Sequence, residues 1–240
     1  FTYSVSIDVL AGILEKLTGQ RLGDFLEKRI FEPLGMKDSG FFVPPGKVER
    51  FAQFYMPMQA TASAREALDQ KYNAPSAQGK ADDKIDWKIS EGSMFGSQVL
   101  TVKPTFDAAG AGLYASLNDY ARYCAMILNG GIVGDNRILE AETLELHLSD
   151  LTPQLTSENF RRDFGDGAAF MKFGGGHGIK YLSDAGQEVG VDYYFWGGAF
   201  NTFYWIDPTN GHLGVFATNH SPPQYNISDD IEQIVDEARL

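Results

Sequence analysis

The chain has 240 residues, of which 43% are hydrophobic and 13% aromatic, and this composition excludes a disordered or fibrous protein. Its 32 acidic residues outnumber 20 basic ones, and the formal net charge of -12 repels phosphate backbones and anionic lipid surfaces, so nucleic acid is not an expected partner. The single cysteine, Cys124, excludes an intrachain disulfide. No apolar stretch reaches the roughly 20 residues that a transmembrane helix needs, so no membrane span is expected.

The first part of the chain carries two amphipathic patterns that predict helices. Apolar residues recur at helical spacing through residues 7–18, with Ser6 as the expected N-cap and Gly19 as the C-terminal stop. A second pattern runs through residues 22–30, and Pro33 is expected to end it because proline lacks the backbone N–H that a helix interior uses.

The middle of the chain predicts one long irregular segment followed by two helices. Residues 44–106 lose the periodicity and are expected to form a lid-like segment in which only residues 62–72 are helical. Ser116-Leu117-Asn118-Asp119 then resembles a capping box with Asp in place of Glu, and it begins a helix that ends at Gly130-Gly131. A shorter helix is expected over residues 141–148.

Beyond residue 165 the pattern changes from helical to strand-like. Two β-rich runs, residues 199–207 and 212–218, flank Pro208-Thr209-Asn210-Gly211, and an Asn-Gly between such runs predicts a β-hairpin. Both faces of the first run are apolar, so we expect a sheet that is covered by helices on both faces. A final helix over residues 228–238 is expected to pack on that sheet.

Several common enzyme signatures are absent from the sequence: G-x-S-x-G, a Walker loop, H-E-x-x-H and C-x-x-C. The four histidines have no i,i+3 or i,i+4 partner of the kind that a helix-borne metal site usually shows, so neither a metal nor a cofactor is expected. His177 lies in Gly174-Gly175-Gly176-His177-Gly178, where glycines let backbone and ligand approach closely. His177 is therefore a candidate substrate-binding residue.

Five further segments occur in an order that is typical of one enzyme superfamily. Three of them are Tyr3-Ser4-Val5 before a helix, Ile30-Phe31-Glu32-Pro33-Leu34-Gly35-Met36 after the next one, and Trp196-Gly197-Gly198 entering a strand that ends in Trp205-Ile206-Asp207-Pro208. With Gly110-Ala111-Gly112-Leu113-Tyr114-Ala115-Ser116 and Asn129-Gly130-Gly131 between them, the ordered set resembles the serine β-lactamase and penicillin-binding-protein superfamily. The resemblance implies an α+β, β-lactamase/transpeptidase-like fold, in which a helical domain packs on an antiparallel sheet and the active site lies in the groove between them.

The resemblance also implies a division of the chain into two parts. Residues 1–165 would belong to the helical domain, including the irregular segment at 44–106, and residues 166–240 would supply the C-terminal strands and final helix of the α/β domain. The nucleophile of the superfamily lies in Ser-x-x-Lys at a helix start. No serine of this chain has Lys three positions later, so we expect that motif and the first strands of the α/β domain upstream of residue 1.

Individual residues receive roles from the same resemblance. Tyr3 corresponds to the tyrosine of a Tyr-x-Asn element, which relays protons beside the Ser and Lys, although Val5 stands in the Asn position. Trp196, Gly197 and Gly198 stand where β-lactamases have Lys-Thr-Gly, with Trp196 expected in the cleft and the glycines leaving room for an acyl group along the strand edge. The backbone N–H of Ala199 becomes one half of an oxyanion hole.

The departures from the β-lactamase pattern favour neutral esters over anionic lactams, because the lysine that would hold a substrate carboxylate is missing. The chain is most similar in this respect to the family VIII carboxylesterases, which implies cleavage of short-chain carboxylic esters through an acyl-enzyme and an inactive chain when residues 1–240 stand alone. Two alternatives stay open at this point: a β-lactamase or D-amino-acid peptidase with the same machinery, and a non-catalytic member whose groove binds a ligand. The sequence leaves compartment and oligomeric state undetermined.

Overall fold

A computed structural model describes residues 4–57, 87–89, 101–155, 171–184, 187–221, 230–231, 234–235 and 237–238. The helices with defined bounds are α1 (Ser6–Thr18), α2 (Leu22–Leu26), α3 (Glu32–Leu34), α4 (Leu117–Leu128) and α5 (Ala141–Leu148). The strands are β1 (Tyr55–Pro57), β2 (Trp87–Ile89), β3 (Ile132–Val133), β4 (Asn136–Arg137), β5 (Met171–Phe173), β6 (Gly178–Asp184), β7 (Gln187–Gly198), β8 (Thr202–Asp207) and β9 (His212–Ala217). The predicted mixture of helices and antiparallel sheet is confirmed.

Helix α1 matches its prediction except at its first residue. Val5 occupies the N-cap and makes no side-chain capping bond, so the prediction of Ser6 as the cap is wrong by one position. Gly19 ends the helix in the left-handed conformation at φ 67°, which a glycine adopts without the steric cost that a Cβ brings.

Pro33 does not end the second helix, contrary to the prediction. Helix α2 continues through a π-helical turn (Glu27–Phe31) into α3, which contains Pro33 and stops only at Gly35, in the left-handed region at φ 66°. At the exit the N–H of Met36 donates to Phe31 at 2.8 Å and the N–H of Gly35 donates to Glu32 at 3.0 Å, the two hydrogen bonds of a Schellman motif. Because a π-turn uses hydrogen bonds five residues apart, it absorbs the missing N–H of the proline without a break.

The segment predicted to be irregular contains some regular structure where it is described. A 3₁₀-helix (Pro45–Arg50) is followed by β1, which pairs antiparallel with β2. The backbone of Tyr55 also pairs with the segment after β9, because its N–H donates to Asn219 at 2.9 Å and its carbonyl accepts from Ser221 at 3.1 Å. The helix predicted over residues 62–72 lies outside the described residues.

Ser116 caps α4 as predicted, but the capping box is not reciprocal. The Ser116 hydroxyl accepts the N–H of Asp119 at 3.2 Å. The Asp119 carboxylate does not reach back to the cap; it accepts from the N–H of Asp38 at 2.6 Å and from the Ser39 hydroxyl at 3.0 Å. This buried carboxylate therefore ties the start of α4 to the loop after α3.

Strands β5 to β9 form one antiparallel sheet in sequence order. The predicted hairpin is confirmed as β8 and β9, and the loop between them is held by Asp207, whose carboxylate accepts from the backbone and side-chain N–H groups of Asn210. Strand β8 begins at Thr202, later than predicted, because residues 199–201 belong to the turn that follows β7.

The main hydrophobic core lies between the helices and one face of this sheet. Helix α4 packs on β8 and β9, and the buried core joins residues from both ends of the described chain: Phe31, Leu34, Met36, Cys124, Met126, Ile127, Leu144 and Ile206. The opposite face carries Phe195, Phe203 and Trp205 in a row, with neighbouring ring centroids 6.0 and 6.1 Å apart.

The predicted final helix is helical at residues 230, 231, 234, 235 and 237, and the layer it was expected to form on the second face of the sheet stays a prediction. Within the described residues, no helix combines the length and apolar character needed to cross a bilayer.

Candidate active site

The Trp196-Gly197-Gly198 triplet closes strand β7 rather than entering the next strand, which corrects the predicted position. Gly197 and Gly198 pair with Phe203 and Thr202 of β8, so the triplet is part of the sheet up to its last residue. Gly197, Gly198 and Ala199 are all exposed. Strand β7 therefore ends in two glycines, which β6 does not pair with, and Ala199 follows directly in the turn.

A tight turn follows the triplet and contains Ala199. The N–H of Asn201 donates to the carbonyl of Gly198 at 3.0 Å and closes the turn. Asn201 has φ 59°, a left-handed conformation that non-glycine residues adopt seldom and asparagine more readily than most. The turn thus places Ala199 directly after the end of β7, and its predicted role as an oxyanion donor stays a prediction.

Trp196 pairs with Tyr204 of β8 and is half-buried. Its indole packs edge to face on Phe173 of β5, with ring centroids 5.2 Å apart. The expected location of this side chain in a substrate cleft stays a prediction, and within the described residues its contacts are with the sheet.

His177 lies in the turn before β6, and its side chain is buried with 3% of its surface exposed. The imidazole sits edge to face against His147, at 4.7 Å between ring centroids, and against Tyr194, at 5.3 Å. Its Nε2 atom finds no hydrogen-bond partner among the described residues. The cavity beside it, of about 10 Å³, has room for one water molecule and none for an acyl chain.

The glycines before His177 leave room for the rings of His177 and His147. A Cβ added to Gly174 would come within 2.7 Å of the His177 Nε2 atom, and one added to Gly175 would meet the ring of His147. In the described structure, His177 thus packs between two rings, and the predicted contact with substrate stays a prediction.

Acid should destabilise the protein through this histidine pair. Burial, together with the neighbouring His147, lowers the pKa of His177 from 6.5 to about 3, and burial also lowers the pKa of His147. Between these pH values His177 is protonated in the unfolded chain and neutral in the native protein. The free energy of unfolding therefore falls as pH falls from about 6.5 towards 3. The slope is roughly 1.4 kcal/mol per pH unit for each such proton.

Denaturant titrations of wild type and His177→Leu between pH 7 and pH 5 check this expectation. Leucine keeps a side chain of similar size and removes the titrating ring, so the variant should lose less stability over this range. Equal losses in the two proteins would show that the His177 ring takes up its proton in the native state.

Three residues near the triplet were not predicted as part of the site. Thr218 and His220 follow β9, and together with the side chain of Asn201 they surround the turn that contains Ala199. Their separation of 17 to 19 residues from Asn201 hides the grouping in the sequence. The usable signal was Asn201, a residue type that tolerates the left-handed turn conformation.

Tyr3, the predicted proton relay, lies outside the described residues. Helix α1 begins three residues after it, so the helix expected to follow Tyr3 is present. Among the residues with a described placement, no group of three or more His, Cys, Asp and Glu side chains could hold a metal ion.

The sequence matches a known family over nearly its whole length. The model of the Beta-lactamase family matches residues 1–237. The chain belongs to the Beta-lactamase family. It is 25% identical over 227 residues to Protein Rv1367c of Mycobacterium tuberculosis, covering 92% of this chain and 49% of that protein. It is 26% identical over 229 residues to Esterase EstB of Burkholderia gladioli, covering 90% and 49% respectively.

Solved structures agree on the architecture. Unliganded simvastatin synthase (LovD) from Aspergillus terreus superposes with a TM-score of 0.70 at 18% identity, covering 99% of this chain and 55% of that one. The β-lactamase/transpeptidase-like fold is therefore confirmed. The chain spans about half the length of the curated relatives that it matches.

Proposed function

We propose that the full-length protein containing this chain is a serine hydrolase that cleaves short-chain carboxylic esters through an acyl-enzyme, as family VIII carboxylesterases do. The observation that carries the proposal is the exposed run Gly197, Gly198 and Ala199 at the end of β7, in a chain that belongs to the Beta-lactamase family. Similarity to EstB, an esterase, supports ester chemistry within that family.

The position before the two glycines favours a neutral substrate. Trp196 supplies a large apolar ring there, where a lysine would supply a cation for a substrate carboxylate. An ester without a carboxylate needs no such cation, whereas an anionic β-lactam would lose a charge-assisted hydrogen bond. The residue at this position therefore favours the esterase over the β-lactamase and peptidase alternatives.

The proposed reaction uses groups from two parts of the protein. The serine of a Ser-x-x-Lys motif, outside residues 1–240, attacks the ester carbonyl, and its proton passes through Tyr3 to the departing alcohol. The positive charge of the lysine favours ionisation of the Tyr3 phenol. The Ala199 N–H donates to the developing oxyanion, and water then hydrolyses the acyl-enzyme to release the acid.

Helix α1 supports a position for the nucleophile beside Tyr3. Val9, Ile13 and Leu17 lie four residues apart on α1 and are exposed by 60%, 51% and 82%. Residues at this spacing form one face of a helix, and an apolar face of this kind is normally buried against another element. We propose that the segment with the Ser-x-x-Lys motif covers it, which would place the serine next to the start of α1.

The division of the chain into two domains is also proposed, from its resemblance to the β-lactamase superfamily. Residues 1–165 belong to the helical domain and residues 166–240 to the α/β domain, with substrate between them. The segment at residues 44–106 is proposed to shape the pockets for the acyl and alcohol groups.

A comparison of ester and cephalosporin turnover by the full-length protein tests the proposed function. We expect a chromogenic short-chain ester to be hydrolysed with the higher kcat/KM. Faster hydrolysis of the cephalosporin would support the β-lactamase alternative, and turnover of neither substrate would support a non-catalytic ligand-binding protein.

A further inference from the structure

A closed set of hydrogen bonds surrounds the turn that contains Ala199. The Thr218 hydroxyl lies 3.1 Å from the carbonyl oxygens of both Phe200 and Asn201, and 2.8 Å from Nδ1 of His220. Nε2 of His220 lies 3.5 Å from the side-chain amide nitrogen of Asn201, a long hydrogen bond. The contacts begin and end on Asn201, so they form a ring around one side of the turn.

One set of proton positions satisfies every contact in this ring. A hydroxyl has a single proton, so Thr218 donates to the turn carbonyls and must accept from His220. Nδ1 of His220 then carries the proton, and Nε2 is free to accept from the Asn201 amide. This arrangement requires a neutral imidazole, and burial does lower the pKa of His220.

The residues just before β1 and its first residue contact the same turn and the segment after β9. The ring of Phe54 packs edge to face on Phe200, with centroids 5.0 Å apart. Tyr55 pairs with the backbone on both sides of His220, and the side-chain amide of Asn219 donates to the carbonyl of Ala52 at 2.7 Å. The segment after β9 that carries Thr218 and His220 is thereby fixed relative to the turn.

The backbone conformation of this turn at Asn201 is unfavourable by itself. Asn201 has a left-handed φ, and such strain persists only where the surroundings determine it. The direction of the Ala199 N–H depends on this turn, because Ala199 lies between Gly198 and Asn201, the two residues whose hydrogen bond closes it.

We propose that Thr218 and His220 are positioning residues of the oxyanion hole, because their hydrogen-bond ring with Asn201 holds the turn that aims the Ala199 N–H at the substrate carbonyl. This inference rests on the proposed ester hydrolysis. Oxyanion donors stabilise the transition state more than the bound ester, so loosening the turn should lower kcat and leave KM nearly unchanged.

The test compares Thr218→Val with Thr218→Ser in the full-length protein. Valine has the shape of threonine without the hydroxyl, so kcat for a chromogenic ester should fall at least about tenfold, and by no more than the roughly 10²- to 10³-fold that complete loss of an oxyanion donor costs, while KM stays within about twofold. The affinity for a tetrahedral phosphonate analogue should fall by the same factor as kcat. Serine restores the hydroxyl and should recover most of the rate.

A second variant guards against a folding defect in Thr218→Val. Asn201→Gly keeps the left-handed backbone accessible and removes the amide that closes the ring, so it should show a smaller loss of kcat with the same unchanged KM. Wild-type kcat in both variants, or a loss that appears in KM alone, would overturn the inference. An inactive wild-type protein would instead contradict the proposed function and the inference together.

Discussion

Replacing Tyr3 with Phe in the full-length protein is expected to lower ester turnover by roughly 10²- to 10⁴-fold, the range that a positioned proton-transfer group contributes. The change removes one hydroxyl and keeps the ring, so the fold should be retained. On the proposed mechanism, that hydroxyl is the only route by which the serine proton reaches the departing alcohol. The loss should therefore appear in kcat and in kcat/KM alike.

Tyr181→Phe is the matched control for this substitution. Tyr181 lies on β6 and pairs with Val191 of β7, which is five residues before Trp196. Replacing Tyr181 with Phe also removes one hydroxyl. Its turnover should stay close to that of wild type. If the two variants hydrolyse the ester equally fast and have equal melting temperatures, Tyr3 has no catalytic role and is a structural residue.

Gly214→Ala should destabilise the sheet strongly. Gly214 of β9 lies opposite Trp205 of β8, and a Cβ added to it would overlap three carbons of the indole. Trp205 is only 4% exposed, so moving its ring aside would displace the residues packed against it. Overpacking of this kind and loss of a buried tryptophan contact together suggest a cost of roughly 2–4 kcal/mol in the free energy of unfolding.

Gly190→Ala provides the control for the glycine prediction. Gly190 lies in the same sheet, on β7, but a Cβ added there meets nothing within 4 Å. Its stability should equal or slightly exceed that of the parent, because alanine loses less chain entropy on folding. Thermal unfolding should separate the two variants by roughly 5–15 °C, and melting temperatures within a degree of each other would contradict the assigned position of Trp205.

Local signals in the sequence were sufficient for the elements that depend on local interactions. Ser116 caps α4 because its hydroxyl reaches an N–H three residues away, and the Asn210-Gly211 turn closes the hairpin through Asp207 nearby. Both features depend on residues that are three positions apart in the sequence. The family resemblance added the overall fold, because motifs such as Trp196-Gly197-Gly198 occur in a fixed order along the chain.

The rest depends on contacts that the sequence does not display. Strands β6 and β7 carry register shifts after Lys180 and Leu182, which interrupt the alternation by which a strand is recognised. Pro33 was expected to stop a helix, but a π-turn accommodated it. The glycines around His177 make room for its packing against His147, a contact between residues 30 positions apart, and the predicted substrate contact of His177 stays a prediction.

The central claim is ester hydrolysis by a Ser-Lys-Tyr site that includes Tyr3 and Ala199, and one comparison of rates tests it most directly. Purified full-length protein and its Tyr3→Phe variant are assayed side by side with a chromogenic short-chain ester and a chromogenic cephalosporin. The variant reports any contaminating esterase, because its own turnover should be nearly abolished. We expect wild type to hydrolyse the ester with the higher kcat/KM and Tyr3→Phe to lose at least about 100-fold of that activity; a preference for the cephalosporin, or equal ester turnover by both proteins, would contradict the account.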